Sequence, residues 1–196
     1  MRLGDQSSDA LLDAPGPHFH QVRMNIQIID ATEQMAGDLL AIYFPYVEKT
    51  AITFDLMPPD RGTFAAHIRS VQAKKFPWLV LKVEDEIVGY AYADTFKNRR
   101  AYDRSVEVSI YIAEGYHQSG LGRMLYEALE THLKSLTPVT NLYACIAYPN
   151  QEDEYLTYAS VRFHEKMGYK IVGRFTNCAA KFSRLYSMVW MEKIIA

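Results

Sequence analysis

Between Val106 and Leu136 the hydrophobic period changes, and it changes across a short loop that carries two glycines. Val106, Val108, Ile110 and Ile112 alternate with Glu107, Ser109 and Tyr111, the period of two that marks a strand. From Leu121 the period lengthens. Leu121, Leu125, Ala128, Leu129, His132, Leu133 and Leu136 share one helical stripe, while Arg123, Glu127, Glu130 and Lys134 take the other side. Between them, Gln118-Ser-Gly-Leu-Gly122 sets glycines where the helix begins. First-turn N–H groups have no intrahelical partner and carry the positive end of the helix dipole, so such a start attracts anions. Glycine there lets a diphosphate approach the backbone with no Cβ in the way.

What the loop lacks narrows the ligand. Gly115 and Gly120 have the separation of a P-loop, but Leu121 and Gly122 stand where lysine and a hydroxyl residue are required, which argues against nucleotide hydrolysis. The dinucleotide fingerprint G-x-G-x-x-G also fails, because Leu125 occupies its third glycine position.

With 196 residues, the chain has the size of one domain with a substantial core. A net charge of −2 gives no electrostatic case for nucleic acid. No uncharged apolar run approaches the length that crosses a bilayer. Cys145, inside an apolar run, reads as a buried thiol; with Cys178 it makes neither a zinc framework nor a disulfide scaffold, so no metal is expected and a reducing cytoplasm is the default compartment.

Residues 1–23 read as a disordered extension, interrupted by Gly4, Pro15, Gly16 and Pro17, with His18 and His20 as solvent-exposed bystanders. Met24 opens a single domain that runs to Ala196. Within it, strands are expected at 25–29, 78–83, 87–93, 105–112, 141–147, 170–175 and 185–193. Helices are expected after Asp30 or Thr32 through Val47, from an Asp60 cap to about Lys75, over 120–136, and from Tyr155 to Met167 before Gly168. The order βααβββαβαββ predicts a mixed α/β fold, with helices on both faces of a twisted sheet.

The hexapeptide His117-Gln-Ser-Gly-Leu-Gly122 resembles the Q/R-x-x-G-x-G/A pyrophosphate loop of the GNAT superfamily of N-acetyltransferases, with His117 where glutamine or arginine is usual. The order of elements is that of the superfamily, whose sheet is mixed and mostly antiparallel. Within it the chain is similar to the phosphinothricin and methionine-sulfone N-acetyltransferases. Four stretches carry this likeness: Phe76-Pro-Trp-Leu-Val80 with Val88-Gly-Tyr-Ala-Tyr92, Phe96-Lys-Asn-Arg-Arg-Ala-Tyr-Asp103, Val106 through Gly122, and Ser160-Val-Arg-Phe-His-Glu-Lys-Met-Gly-Tyr169.

The resemblance implies acetyl-CoA as co-substrate and the amine of a small molecule, an amino acid or an analogue, as acceptor. It implies that Ile110, Tyr111 and Ile112 present strand backbone to the pantetheine arm. His117, Gln118, Ser119, Gly120, Leu121 and Gly122 would hold the pyrophosphate, with Arg123 as a charge partner. Asn150 matches the asparagine that bonds the pantetheine arm, although spacing from Ser160 points equally to Thr157. Glu107 takes the position of the general base or ammonium anchor. His164 stands where many acetyltransferases place a tyrosine acid, and it either protonates the leaving thiolate or packs against the cofactor. Arg100, Ala101 and Tyr102 match positions that line the acceptor pocket, with Lys97 and Arg99 adding charge for an anionic group. A homodimer is implied as well.

Two stretches depart from the family pattern. Lys181-Phe-Ser-Arg-Leu-Tyr-Ser187 replaces K-x-G-x-W-x-D, and Gln151 to Tyr158 is longer and more acidic than the usual link. Phosphinothricin itself is therefore not assumed. The acidic run favours a cationic acceptor such as a polyamine or aminoglycoside, and the basic loop at 97–104 favours an anionic one. A protein N-terminus, or a CoA-binding module without catalysis, are the other readings.

Overall fold

The computed structural model describes residues 25–136 and 138–195, so the expectation for residues 1–23 lies outside the described residues. The chain runs β1 (Ile26–Asp30), α1 (Ala36–Lys49), α2 (Arg61–Ala73), β2 (Trp78–Val83), β3 (Glu86–Thr95), β4 (Ser105–Ile112), α3 (Leu121–Lys134), β5 (Asn141–Tyr148), α4 (Ala159–Lys166), β6 (Lys170–Lys181) and β7 (Arg184–Ile194). This is the order read from the periodicities. The strands form one seven-stranded sheet in the order β1-β2-β3-β4-β5-β7-β6. Every neighbouring pair is antiparallel except β4 and β5.

Each face of the sheet buries a different helix pair. Val106, Val108 and Ile112 of β4 pack with Leu121, Leu125, Leu129 and Leu133 of α3 and Val161 of α4. On the opposite face, Leu39, Ile42 and Val47 of α1 and Phe64, Ile68 and Val71 of α2 meet Trp78, Val80 and Tyr90. Asp60 caps α2 as expected, accepting the Thr63 N–H at 2.9 Å. Thr32 makes no side-chain cap bond; it precedes a short 3₁₀ turn, Glu33–Met35, that leads into α1.

Four expectations need correction. The helix expected from Tyr155 starts only at Ala159, because the Asp153 carboxylate accepts the N–H groups of Tyr155 and Leu156 and holds that stretch in a turn. The strand from Lys170 extends to Lys181, joined to β7 through Phe182 and Ser183, both at positive φ without a glycine to announce the turn. Cys145 is exposed, because Leu142, Ala144 and Ile146 take the buried face of β5 and Cys145 alternates to the other. On α3, His132 is exposed, whereas Glu130 is buried and accepts Lys193 Nζ at 2.5 Å from β7.

The Glu130–Lys193 pair generates a prediction. Glu130 Oε1 has no partner among the described residues and the side chain is buried, so removing the lysine leaves an uncompensated charge. Lys193→Met should cost about 3 kcal/mol in a urea titration, with the slope unchanged. The double variant Glu130→Leu/Lys193→Met should recover most of that loss.

Candidate active site

β4 and β5 pair only at Ser105–Asn141, Val106–Leu142 and Glu107–Tyr143, and then both strands continue unpaired with each other, to Ile112 and Tyr148. The Ala113 N–H donates to Val88 O at 2.8 Å, so by alternation the main chains of Glu107, Ser109 and Tyr111 face β3. Those of Val108, Ile110 and Ile112 face the gap left by the departing β5. At Ile112 the gap is closed locally. The Tyr46 hydroxyl, reaching over from α1, donates to Ile112 O at 2.6 Å, and His117 Nε2 lies 3.0 Å from the same oxygen and 2.9 Å from the Tyr46 hydroxyl. Among the described residues the main chain of Ile110 has no such neighbour, and it opens into the gap. The Tyr111 side chain lies on the other face, among Tyr43, Tyr46 and Tyr90.

At the end of the gap sits the glycine loop. Gly115 at φ +91°, Gln118 at +61° and Gly120 at +83° turn the chain so that successive N–H groups point outward. Among the described residues, the N–H groups of Ser119, Gly120, Leu121, Gly122 and Arg123 meet no protein acceptor. This is the donor set that a diphosphate requires, at the start of a fourteen-residue helix. Gly120 carries the conformational demand. A Cβ at Gly122 would meet Ile112, Phe163 and Ile110 at ordinary contact distances, so neither packing nor backbone conformation demands glycine there. Arg123 turns back to Glu127, with Nε 2.7 Å from its carboxylate, and does not reach over the loop.

Glu107 lies at the other end of the gap, half-buried, with no hydrogen-bond or ion-pair partner among the described residues. Burial raises its pKa above the ordinary carboxylate range; the charge of Lys97 opposes the rise and that of Asp94 adds to it. Asp94 is its direct cross-strand neighbour on the same face. Burial works against ionisation of Asp94, but hydrogen bonds from His67, Lys74 and the Thr95 N–H outweigh it and hold the carboxyl well below its ordinary value. The Lys74 contact is 2.7 Å and the His67 contact 3.5 Å.

The same face opens into a cavity of about 230 Å³ lined by Tyr43, Trp78, Tyr90, Tyr92 and Tyr111, with Phe64, Thr63, Pro59, Asp55 and His67. Trp78 Nε1 is buried there without a partner. Sequence reasoning missed this pocket. Tyr90 and Tyr92 read only as alternating strand residues, and nothing local links them to Tyr43, Asp55 or His67.

The remaining expected residues are placed elsewhere. Arg100, Ala101 and Tyr102 form an exposed 3₁₀ turn, outside the residues that line the cavity. Their loop is anchored by Phe96, which stacks on Tyr143 at 4.5 Å and meets Trp190 edge-on. The Asn150 carboxamide binds Asn177, Arg174 and Ser187 of the last hairpin, and Thr157 Oγ1 accepts the Ala159 N–H. The acidic run is consumed internally: Arg184 pairs with Glu154 at 2.8 Å and with Asp153 at 2.9 Å, and Glu152 accepts the Tyr158 N–H. It offers no bed for a cationic ligand. His164 is buried between α3 and α4, with Nδ1 2.8 Å from Ser160 O and Nε2 3.0 Å from the Tyr126 hydroxyl. Burial pushes its pKa down to about 4, and the Ser160 carbonyl only partly offsets this, so at neutral pH the ring is uncharged with both nitrogens engaged.

A family model described as acetyltransferase (GNAT) domain matches residues 28–190. The phosphinothricin N-acetyltransferase of Streptomyces coelicolor is 30% identical over 182 residues, covering 86% of this chain and 95% of its own length. An L-methionine sulfoximine/L-methionine sulfone acetyltransferase of Pseudomonas aeruginosa is 25% identical, over 86% of this chain and 94% of its own. Among solved structures, a phosphinothricin acetyltransferase from Sinorhizobium meliloti in complex with AcCoA superposes with a TM-score of 0.79 at 24% identity, over 87% of this chain and 89% of that one.

The burial of His164 has a measurable consequence. Its pKa is lower in the folded chain than the ordinary 6.5, so between those values the unfolded chain binds a proton that the native state refuses. Stability should be complete at neutral pH and fall as the pH drops from about 6.5 toward about 4. The urea midpoint of His164→Gln should be flatter across that window.

Proposed function

Because the chain belongs to the GNAT acetyltransferase family, we propose that it transfers the acetyl group of acetyl-CoA to the amine of an amino acid or an amino-acid analogue. The observation that carries this reading is the placement of an unpartnered, half-buried Glu107 at one end of the β4–β5 gap and unpaired loop N–H groups at the other. No helix among the described residues is long and apolar enough to cross a membrane.

Acetyl-CoA supplies the acetyl group as an activated thioester. The N–H groups from Ser119 to Arg123 are proposed to bind its diphosphate, and the main chain of Ile110 to bond the pantetheine amides along the gap. The Ile110 N–H is also the better-placed donor to polarise the thioester carbonyl, because Tyr46 and His117 occupy the main chain of Ile112. Glu107 receives the acceptor ammonium and takes one proton, a task that its raised pKa brings nearer. The freed amine attacks the thioester carbonyl, and the C–N bond forms as the C–S bond breaks. Coenzyme A leaves as the thiolate, which takes the second amine proton through water. We assign His164 to packing between α3 and α4. Asn150 or Thr157 can meet the pantetheine arm only by exchanging its present partners. Arg100, Ala101 and Tyr102, with Lys97, are proposed to form the outer rim that meets the acceptor carboxylate.

The proposal extends to a homodimer and to the cytoplasm. Strand β6 is a sheet edge with Ile171, Val172 and Phe175 45%, 55% and 53% exposed, a surface that a second copy can cover. Two unpaired, exposed thiols suit a reducing compartment. The reaction as proposed calls for no metal and no nucleic acid.

Glu107→Gln keeps the shape and removes the base. Acetyl-CoA binding should survive, while kcat falls roughly 10²–10⁴-fold and the acidic limb of kcat/KM disappears. In the unaltered enzyme that limb should lie above the ordinary carboxylate range, activity being lost as pH falls through the raised Glu107 pKa. An anchor without base function would instead raise KM for the amine and leave kcat nearly intact.

A further inference from the structure

The cavity beside Glu107 has a chemistry of its own. Its walls are rings, those of Tyr43, Trp78, Tyr90, Tyr92 and Tyr111, and the rim carries the Asp55 carboxylate. Asp55 is oriented by a neutral hydroxyl, accepting from Tyr43 at 2.6 Å, and no cation lies within ion-pair distance of it among the described residues. Among the described residues no lysine or arginine lines the cavity, and His67, the one basic lining group among them, faces Asp94.

The nearby lysines bind other groups. Lys74 binds Asp94, and Lys97 lies over Phe96 and Trp190. Lys181 is buried and donates to Thr53 O at 2.8 Å; it feels the Asp55 charge without forming an ion pair with it. Burial is the main cause that holds the Tyr92 hydroxyl un-ionised, its pKa up at about 12, against a Ser109 hydrogen bond that lowers it. The negative charges of Glu107, Asp94 and Asp55 add to the rise, so three carboxylates act on one point of the cavity wall.

We propose that this cavity receives a cationic side chain of the acceptor, an ammonium or guanidinium held against tyrosine and tryptophan faces and the Asp55 carboxylate, while the acceptor's reacting amine lies at Glu107. The proposal rests on the acetyl-transfer reading of the site and narrows the acceptor to an amino acid with a basic side chain. Ring faces and a carboxylate both attract a cation, and their attraction strengthens where water is excluded. An anionic side chain such as a phosphinate would meet the Asp55 carboxylate, with the buried Lys181 as a more distant counter-charge and no cation within ion-pair distance among the described residues, which works against that class of acceptor.

The test compares acceptors that differ in charge but little in shape: arginine with citrulline, and lysine with norleucine. Methionine sulfone, phosphinothricin, agmatine and cadaverine complete the panel. Each is assayed with the unaltered enzyme and with Asp55→Asn, a substitution at an exposed position that folding should tolerate. The basic member of each pair should have kcat/KM at least about tenfold above its neutral partner, an advantage that shrinks to about threefold or less in Asp55→Asn. Equal use of charged and neutral partners, or an advantage that Asp55→Asn leaves intact, overturns the proposal. Turnover of methionine sulfone or phosphinothricin but of no basic amine also overturns it, while the acetyl-transfer reading stands. Preference for agmatine or cadaverine over arginine or lysine supports the cationic cavity and removes the amino-acid reading. If the enzyme binds acetyl-CoA and acetylates none of the panel, both fall.

Discussion

The parting of β4 from β5 after Glu107 and Tyr143 is the constraint on which the rest of the site depends. A sheet interior normally satisfies every main-chain group through its ladder, and a buried group left unpaired is costly. Here the cost is limited because the gap is open at its edge and because Tyr46 and His117 cover the Ile112 carbonyl. What remains uncovered is a line of main-chain groups ending at a helix start with unpaired N–H groups. The two strands are held apart from both sides. Val108 and Ile112 are tied down by α3, while β5 is committed along all eight of its residues to β7. The gap is thus a property of the packed sheet and not of a mobile loop.

Charge is organised around the same point. Glu107 is left without a partner, whereas its neighbour Asp94 is held by Lys74, His67 and a backbone N–H. Burial is the main cause that raises the proton affinity of Glu107; the charge of Lys97, from the loop after β3, opposes the rise, and the fixed negative charge of Asp94 adds to it. The balance is built into the sheet, since Asp94 and Glu107 are register partners and cannot drift apart.

Much of this was legible in the sequence because the relevant patterns are local. The period change at Leu121 located α3 and its glycine loop, and Asp60 announced the start of α2. What was illegible depends on partners distant along the chain. Glu130 looked like a solvent-facing helix residue because Lys193, its partner, is 63 residues away. The acidic run 152–154 looked like a ligand bed because Arg184 lies beyond the next helix and strand. Cys145 sits in an apolar run, and it is exposed because Leu142, Ala144 and Ile146 claim the core-facing side of β5. The aromatic cavity draws on α1, α2 and strands β2 to β4, so no window of sequence contains it. Lys170–Lys181 ran longer than expected because the turn at Phe182-Ser183 uses positive φ in residues that rarely adopt it.

The central claim is that the loop N–H groups around Gly120 hold a diphosphate. It is tested most directly by calorimetric titration of Gly120→Val with two ligands, acetyl-CoA and S-acetylpantetheine, which lacks the diphosphate. A branched residue is strained at φ +83°, so the N–H array is lost while the β4–β5 gap is left intact. Acetyl-CoA should bind roughly 10–100-fold more weakly to the variant than to the unaltered protein, the scale of a lost charge-assisted hydrogen bond, with S-acetylpantetheine unchanged. Equal weakening of both ligands, or unchanged binding of acetyl-CoA, would contradict the claim.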